Sequence, residues 1–166
     1  MKCFLLCGIP GTGKTSIGNF LKDEMNYVHL DLEEELKFTN DWQVITQKVQ
    51  DLNAEHNLVI TWGFVPDEAS MNYVSDLIEN FSARMVWFDG DREIAKKVWL
   101  LREENNIKNN ISNESEFDIQ IKSINEAEVI KKYGPFIIDP FDAQGGFHDS
   151  EGIVQKIISY QFNHLQ

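Results

Sequence analysis

Along this chain, short apolar runs alternate with longer segments of helical period. Residues 2–7, apolar after Lys2, form a run that stops at Gly8, the pattern of a strand buried on both faces. Residues 15–25 then place Ile17, Phe20, Leu21 and Met25 at helical spacing. A second short strand is expected over residues 27–32. A helix follows over residues 40–56, with Trp42, Ile45, Val49 and Leu52 at intervals of three and four. Residues 58–62 read as a third strand. Pro66, Asp67 and Glu68 suit the first turn of a helix reaching about residue 80, because proline needs no donor there and acids favour the positive helix end. Residues 84–88 predict a fourth strand, and Asp91 a cap for a helix carrying Ile94, Val98 and Leu101 on one face.

Residues 103–116, EENNIKNNISNESE, are polar and Asn-rich and read as a mobile surface segment. Helical period returns over residues 117–133 and ends at Gly134 and Pro135. Residues 136–139 predict a fifth strand, and Asp149 or Ser150 a cap for a last helix holding Ile153, Ile157 and Tyr160. No repeat or linker interrupts the pattern. Five short strands separated by helices point to an α/β fold: a parallel sheet covered by helices on both faces, in three layers.

A length of 166 residues suits one domain, 1–166, and the composition is that of an ordinary globular protein. Charge changes this picture more. Fifteen Lys and Arg stand against 27 Asp and Glu, and a net charge of −12 repels a phosphate backbone, which argues against a nucleic-acid partner. The first 22 residues nevertheless hold Lys2, Lys14 and Lys22 and no acid, so a positive island opens an acidic chain. Cys3 and Cys7, four apart on the first strand, share a face but lie too far apart to bridge. Two unbridged thiols, no signal-peptide pattern and no apolar run near 18 residues lead to the expectation of a cytoplasmic protein without a membrane partner.

The island contains Gly8-Ile9-Pro10-Gly11-Thr12-Gly13-Lys14-Thr15, a complete G-x-x-x-x-G-K-[ST] loop between a strand and a helix. In this loop backbone N–H groups turn inward around phosphate, and the following helix presents its positive end to the same point. The nucleotide-binding set is Gly8, Gly11, Thr12, Gly13, Lys14, Thr15 and Ser16, with Lys14 on the β- and γ-phosphates of ATP and the Thr15 hydroxyl on Mg²⁺. A dinucleotide fingerprint starting at Gly11 fails, because Ser16 stands where glycine is required.

Here the chain resembles the P-loop small-molecule kinases, the group that includes shikimate, gluconate and adenylate kinases. Three further places carry the resemblance: His29-Leu30-Asp31-Leu32 after the second strand, the stretch VWFDGDREIAKKVWLLRE, and the loop of residues 139–146 after the fifth strand. The resemblance implies a P-loop NTPase fold with strand order 2-3-1-4-5. It also implies ATP and Mg²⁺ as cofactors, adenine held by the last loop, and a lid around 103–116. Asp31 would face the acceptor hydroxyl, accept its proton or help hold the metal, and Arg102 would swing over the γ-phosphate, which makes Lys14, Asp31 and Arg102 the catalytic set. Val98 departs from the gluconate kinase pattern, which has arginine there. The third strand ends Thr61-Trp62-Gly63 with no metal-binding Asp, which disfavours a hydrolytic motor or GTPase switch.

Arg84, Arg92 and Arg102 are the only arginines, so the acceptor side between the loop and the fourth strand has none to grip a carboxylate or phosphate. The expected acceptor is therefore a small neutral or cationic molecule with a free hydroxyl, a sugar, nucleoside or amino-sugar-like compound. Trp62 and Phe64 are candidate apolar walls, whereas Trp42 reads as core. Arg92, Lys96, Lys97 and Glu33 to Glu35 read as surface positions. The four histidines show no metal-ligand spacing, and His148 is placed near the base without a role. The alternative reading is an ATP-binding regulatory module or an NTP hydrolase with weak or no kinase activity.

Overall fold

A computed structural model describes residues 2–106 and 114–163. Five parallel strands, β1 (Cys3–Gly8), β2 (Val28–Asp31), β3 (Leu58–Thr61), β4 (Arg84–Phe88) and β5 (Phe136–Ile138), form one sheet in the order β2-β3-β1-β4-β5. The sheet adopts the strand order of the P-loop kinase fold. β1 lies at its centre, and all six of its residues are buried. Their alternation builds two cores. Cys3, Leu5 and Cys7 join one cluster with Ile45, Val49, Val74 and Leu77, while Phe4 and Leu6 join a second with Ile17, Leu21, Ile153 and Ile157. The second cluster is the contact with α1 (Lys14–Met25) and α8 (Ser150–Asn163), and the first receives α3 (Trp42–Glu55) and α4 (Glu68–Phe81). Three layers result.

Aspartates start most of the helices. Asp31, Asp41, Asp67, Asp91 and Asp149 each accept a backbone N–H in the first turn of the helix that follows, so Asp149 rather than Ser150 supplies the last cap. Helix α1 differs: its N-cap Gly13 is left-handed (φ 77°) and offers no side-chain bond. An Asp at position 13 would put a negative charge where the helix end meets the loop.

Three expectations change. The segment of residues 117–133 is two helices, α6 (Glu114–Glu126) and α7 (Val129–Tyr133), broken at Glu128, whose φ of 48° ends the helical path. A separate helix α2 (Leu32–Phe38) follows β2 directly. The polar segment expected to be mobile is helical at both ends, because α5 (Arg92–Asn106) continues into it and α6 starts within it. Its centre, residues 107–113, lies outside the described residues, as does His164. Among the described residues no helix is long and apolar enough to cross a membrane.

The central strand is locked to β4 at its last residue. Gly8 adopts φ +138°, and a Cβ there would lie 2.1 Å from the Phe88 carbonyl oxygen, while the next residue donates from Ile9 N to that same oxygen at 3.0 Å. Gly8→Ala is therefore expected to lower unfolding stability by about 2 kcal/mol or more, read as a shifted urea midpoint at unchanged slope.

Candidate functional site

Three consecutive features place the loop after β1. Gly8 turns the chain over the end of β4, and Gly11 (φ +78°) brings the loop so close to α5 that a Cβ would stand 2.1 Å from the Ala95 carbonyl oxygen. The Thr12 hydroxyl, fully buried, donates to Ile9 O at 2.7 Å and closes the loop on itself. Lys14 then projects back through the ring, donating from Nζ to Ile9 O at 2.8 Å and Gly8 O at 3.2 Å. Lys14 is 9% exposed, one of the few buried polar residues. Burial holds its ammonium well below the usual lysine range, to about 8, against the opposing pull of Cys7, Glu33 and Asp31.

Above the loop opens a cavity of about 460 Å³. Its floor is residues 10–16 of the loop, and its far side is formed by Asp31, Glu33, Thr61, Trp62 and Gly63 from the ends of β2 and β3. One turn after another, α5 contributes Trp99 and Arg102, with Val98 beside them. Gln120 of α6 and Phe147 complete the wall. Crevices outside the carboxyl ends of parallel strands are where α/β sheets bind ligands.

Asp31 performs two tasks at once. One carboxylate oxygen, Oδ1, accepts Glu33 N at 3.0 Å and caps α2, while Oδ2 accepts the Thr15 hydroxyl at 3.4 Å. Capping directs the second oxygen at the loop. Thr15 and Asp31 thus present two hard oxygen ligands side by side, the donor type that Mg²⁺ takes together with phosphate oxygens. Among the described residues no group of three or more His, Cys, Asp or Glu forms a metal cage, so such a metal would complete its shell from nucleotide and water.

Thr61 occupies the strand end where an acid was noted as missing. Its hydroxyl meets His29 Nε2 at 2.8 Å, and His29 Nδ1 meets Asn19 Oδ1 at 2.9 Å, so the ring links α1, β2 and β3. Desolvation lowers the His29 pKa below the usual imidazole value and favours the neutral ring. His29 is thereby a positioning group for Thr61.

Lys14, Thr15, Asp31, Arg102, Gly11, Thr12, Gly13 and Ser16 all converge on the cavity. Gly8 does not line it; its backbone serves the β1–β4 junction and its carbonyl receives Lys14. The loop of residues 139–146 is folded on itself by Asp142, whose Oδ1 accepts Gln144 N and Gly146 N, and does not reach the cavity. The residues that follow do. Phe147, held by its bridge to Phe141, approaches within 3.1 Å of where a Gly13 Cβ would be, and Phe147 and His148 line a second hollow of about 240 Å³ between α1 and α8.

Trp42 belongs to the α3–α4 packing, with its indole N–H donating to Asp76 Oδ2 at 2.7 Å and its ring stacked on Tyr73 at 4.0 Å. Phe64 stands behind Trp62 instead of lining the cavity. Arg92 contacts Asn125 and Asp89, as a surface role predicts. Lys96 is not a solvated position: its ammonium bonds both Asp118 oxygens at 3.0 and 3.1 Å and ties α5 to α6. Glu33, expected to face solvent, lines the cavity, as do Trp99, Gln120 and Phe147, none of which was singled out. Spacing contained a signal for two of these. Ala95, Trp99 and Arg102 are one α5 face, and Glu33 lies in the first turn of the helix that Asp31 caps.

The architecture is similar to solved P-loop kinases. A shikimate kinase from Acinetobacter baumannii in complex with shikimate superposes with a TM-score of 0.64 at 14% identity, covering 100% of this chain and 97% of that one. A gluconokinase from Sinorhizobium meliloti 1021 gives 0.59 at 14% identity, over 98% and 97% of the two chains. The YorR protein from Bacillus subtilis, solved in complex with phosphorylated GDP, gives 0.61 at 18% identity, over 98% and 99%. At these identities the likeness is one of fold. No protein-family profile matches the sequence, and no curated protein matches it.

A nucleotide seated on this loop would be held in a pH-dependent way by the buried lysine. With its pKa lowered by burial to about 8, Lys14 loses charge progressively as pH rises through that range, and contact with phosphate would favour the charged form, so binding would take up a proton at alkaline pH. Titration calorimetry with Mg·ATP is expected to show affinity falling by up to about tenfold per pH unit above pH 8. An affinity that stays flat from pH 7.5 to 9.5 would contradict this role for Lys14.

Proposed function

We propose that this protein is an ATP-dependent kinase that transfers the γ-phosphate to a hydroxyl of a small neutral or cationic metabolite. The observation that carries the proposal is the convergence of Lys14 and Thr15 on the floor of one cavity with Asp31 facing them from the far side, where Trp62 and Gly63 leave room for an acceptor. In this reading the loop from Gly11 to Gly13, with Ser16, cradles the polyphosphate through backbone N–H groups and the positive end of α1. Lys14 leaves its resting bonds to Gly8 O and Ile9 O for the β- and γ-phosphates. Mg²⁺ bound by Thr15 and Asp31 would neutralise phosphate charge.

The acceptor oxygen forms a new bond to the γ-phosphorus as the bond to the β,γ-bridging oxygen breaks, and ADP leaves with that electron pair. Asp31 binds the acceptor hydroxyl or takes its proton. Arg102, on the α5 face that overhangs the loop, stabilises the equatorial oxygens of the transferring group. Most of the chemistry is positioning and charge stabilisation, so these few side chains suffice. The base fits the side of the cavity at Phe147, whose ring also borders the neighbouring hollow that His148 lines beside α1. Buried free thiols at Cys3 and Cys7, the first pushed up to about 12 by burial, agree with a cytoplasmic setting and no redox role.

Mg·ATP is expected to raise the melting temperature, and Lys14→Ala to abolish the rise; a native protein without any shift would contradict the phosphate-cradle reading. Labelled γ-phosphate should appear on an organic acceptor. Label found only as inorganic phosphate would favour the hydrolase alternative, and binding without turnover would favour the regulatory one. Asp31→Asn retains a good helix cap, so its expected loss of roughly 10²- to 10⁴-fold in transfer rate reads the chemistry and not the fold.

A further inference from the structure

Glu33 is brought to the acceptor side by two neighbouring constraints. Leu32, fully buried, anchors the first turn of α2, and Asp31 caps that turn through Glu33 N. The Glu33 side chain then crosses to the end of β3, where it lies over the backbone of Gly63. A Cβ at position 63 would be 2.5 Å from Glu33 Oε1 and 3.6 Å from its Cδ. A side chain at position 63 would displace the carboxylate from this place. The same point is 3.9 Å from Lys14 Cε, so Glu33 stands close to the lysine stem.

Charge around the cavity is then unevenly assigned. In the kinase reading Lys14 and Arg102 face the donor phosphates, and Asp31 is engaged with Thr15. The Glu33 carboxylate makes no hydrogen bond or ion pair among the described residues, although the cavity is open to it. No guanidinium balances it from the acceptor side. Arg84 pairs in register with Phe4, at the end of the sheet opposite the Gly8–Phe88 junction, and Arg92 is turned to Asp89 and Asn125. Trp62 and Trp99 line the same cavity, and indole ring faces are electron-rich. The charged neighbour of this carboxylate is Lys14, whose ammonium is turned to the Gly8 and Ile9 carbonyls, so toward the cavity Glu33 complements an ammonium group and repels an anion.

We infer that Glu33, admitted by Gly63, is a specificity-determining residue that selects hydroxyl compounds carrying a protonated amine. The inference rests on the kinase reading and narrows its acceptor from neutral or cationic to cationic. An ammonium seated between Glu33 and the Trp62 ring holds the substrate so that its hydroxyl points to Asp31 and the γ-phosphate. Amino sugars, aminocyclitols and amino alcohols have this chemistry.

The test is a matched panel in which one carbon bears an amine, a hydroxyl or a carboxylate: 6-amino-6-deoxyglucose, glucose and glucuronate, with the analogous aminocyclitol and amino-alcohol sets. Transfer of labelled phosphate from ATP is followed by kcat and KM. The amine members are expected to have a kcat/KM at least about tenfold above their hydroxyl counterparts, with the acids lowest, the difference residing mainly in acceptor KM. Glu33→Gln should erase the amine preference while retaining the Mg·ATP melting shift. Gly63→Ala should do the same by displacing an unaltered carboxylate. A hydroxyl or acid member used as well as its amine, an amine preference that survives Glu33→Gln, or no labelled amine in a protein that still responds to Mg·ATP would each overturn the inference. Absence of the Mg·ATP response itself would instead remove the kinase reading beneath it.

Discussion

An ammonium group buried at the end of an apolar central strand is the constraint on which the site depends. Lys14 is enclosed by its own loop, and its charge is tolerated because two carbonyl oxygens, those of Gly8 and Ile9, face inward to receive it. Those carbonyls point inward only because the chain leaves β1 through a glycine at φ +138°, a path that side chains rarely follow. The lysine therefore starts from an incompletely compensated position. Burial lowers its proton affinity, and a phosphate reaching the loop offers better partners than the two carbonyls do. The resting contacts keep the cradle formed without making it an optimal home for the charge.

From that point the surrounding elements are placed by close approaches. The loop touches α5 at Gly11 and Ala95, and this contact brings the face that holds Trp99 and Arg102 over the phosphate cradle. The ion pair of Lys96 with Asp118 holds α6 against α5 and so carries Gln120 to the rim. On the other side, His29 fastens Thr61 between α1 and β2, fixing the strand end next to Gly63. Asp31 joins both halves, since one oxygen starts α2 and the other reaches Thr15. The loop side and the β2–β3 side of the cavity thus meet along a line of polar contacts.

The acidity of the chain acquires a local meaning in this arrangement. A net charge of −12 is unfavourable to polyanionic partners, but within the cavity the charges are sorted. Cations gather where the loop and α5 meet, and carboxylates gather at the ends of β2 and α2. The sorting depends on where strands end, not on overall composition.

Much of this was legible in the residues themselves. A continuous apolar run ending in Gly8, followed by Gly11, Gly13, Lys14 and Thr15, specifies a buried strand, a phosphate loop and a helix through local backbone chemistry alone, and the capping aspartates mark helix starts for the same local reason. What periodicity could not separate was the break at Glu128, where helical spacing continues through a turn, or the helical ends of the polar segment around residues 103–116. Nor could it assign Glu33, Trp99, Gln120 and Phe147 to the cavity, or show that Phe147 and not the loop of residues 139–146 reaches it. Each of those placements depends on which surfaces meet across the sheet. The sequence by itself determined the strand, the loop and the lysine, because their geometry is written in consecutive residues. Only the tertiary structure decided what faces them, because Glu33 and Gly63, 30 positions apart, become neighbours through the pairing of β2 with β3.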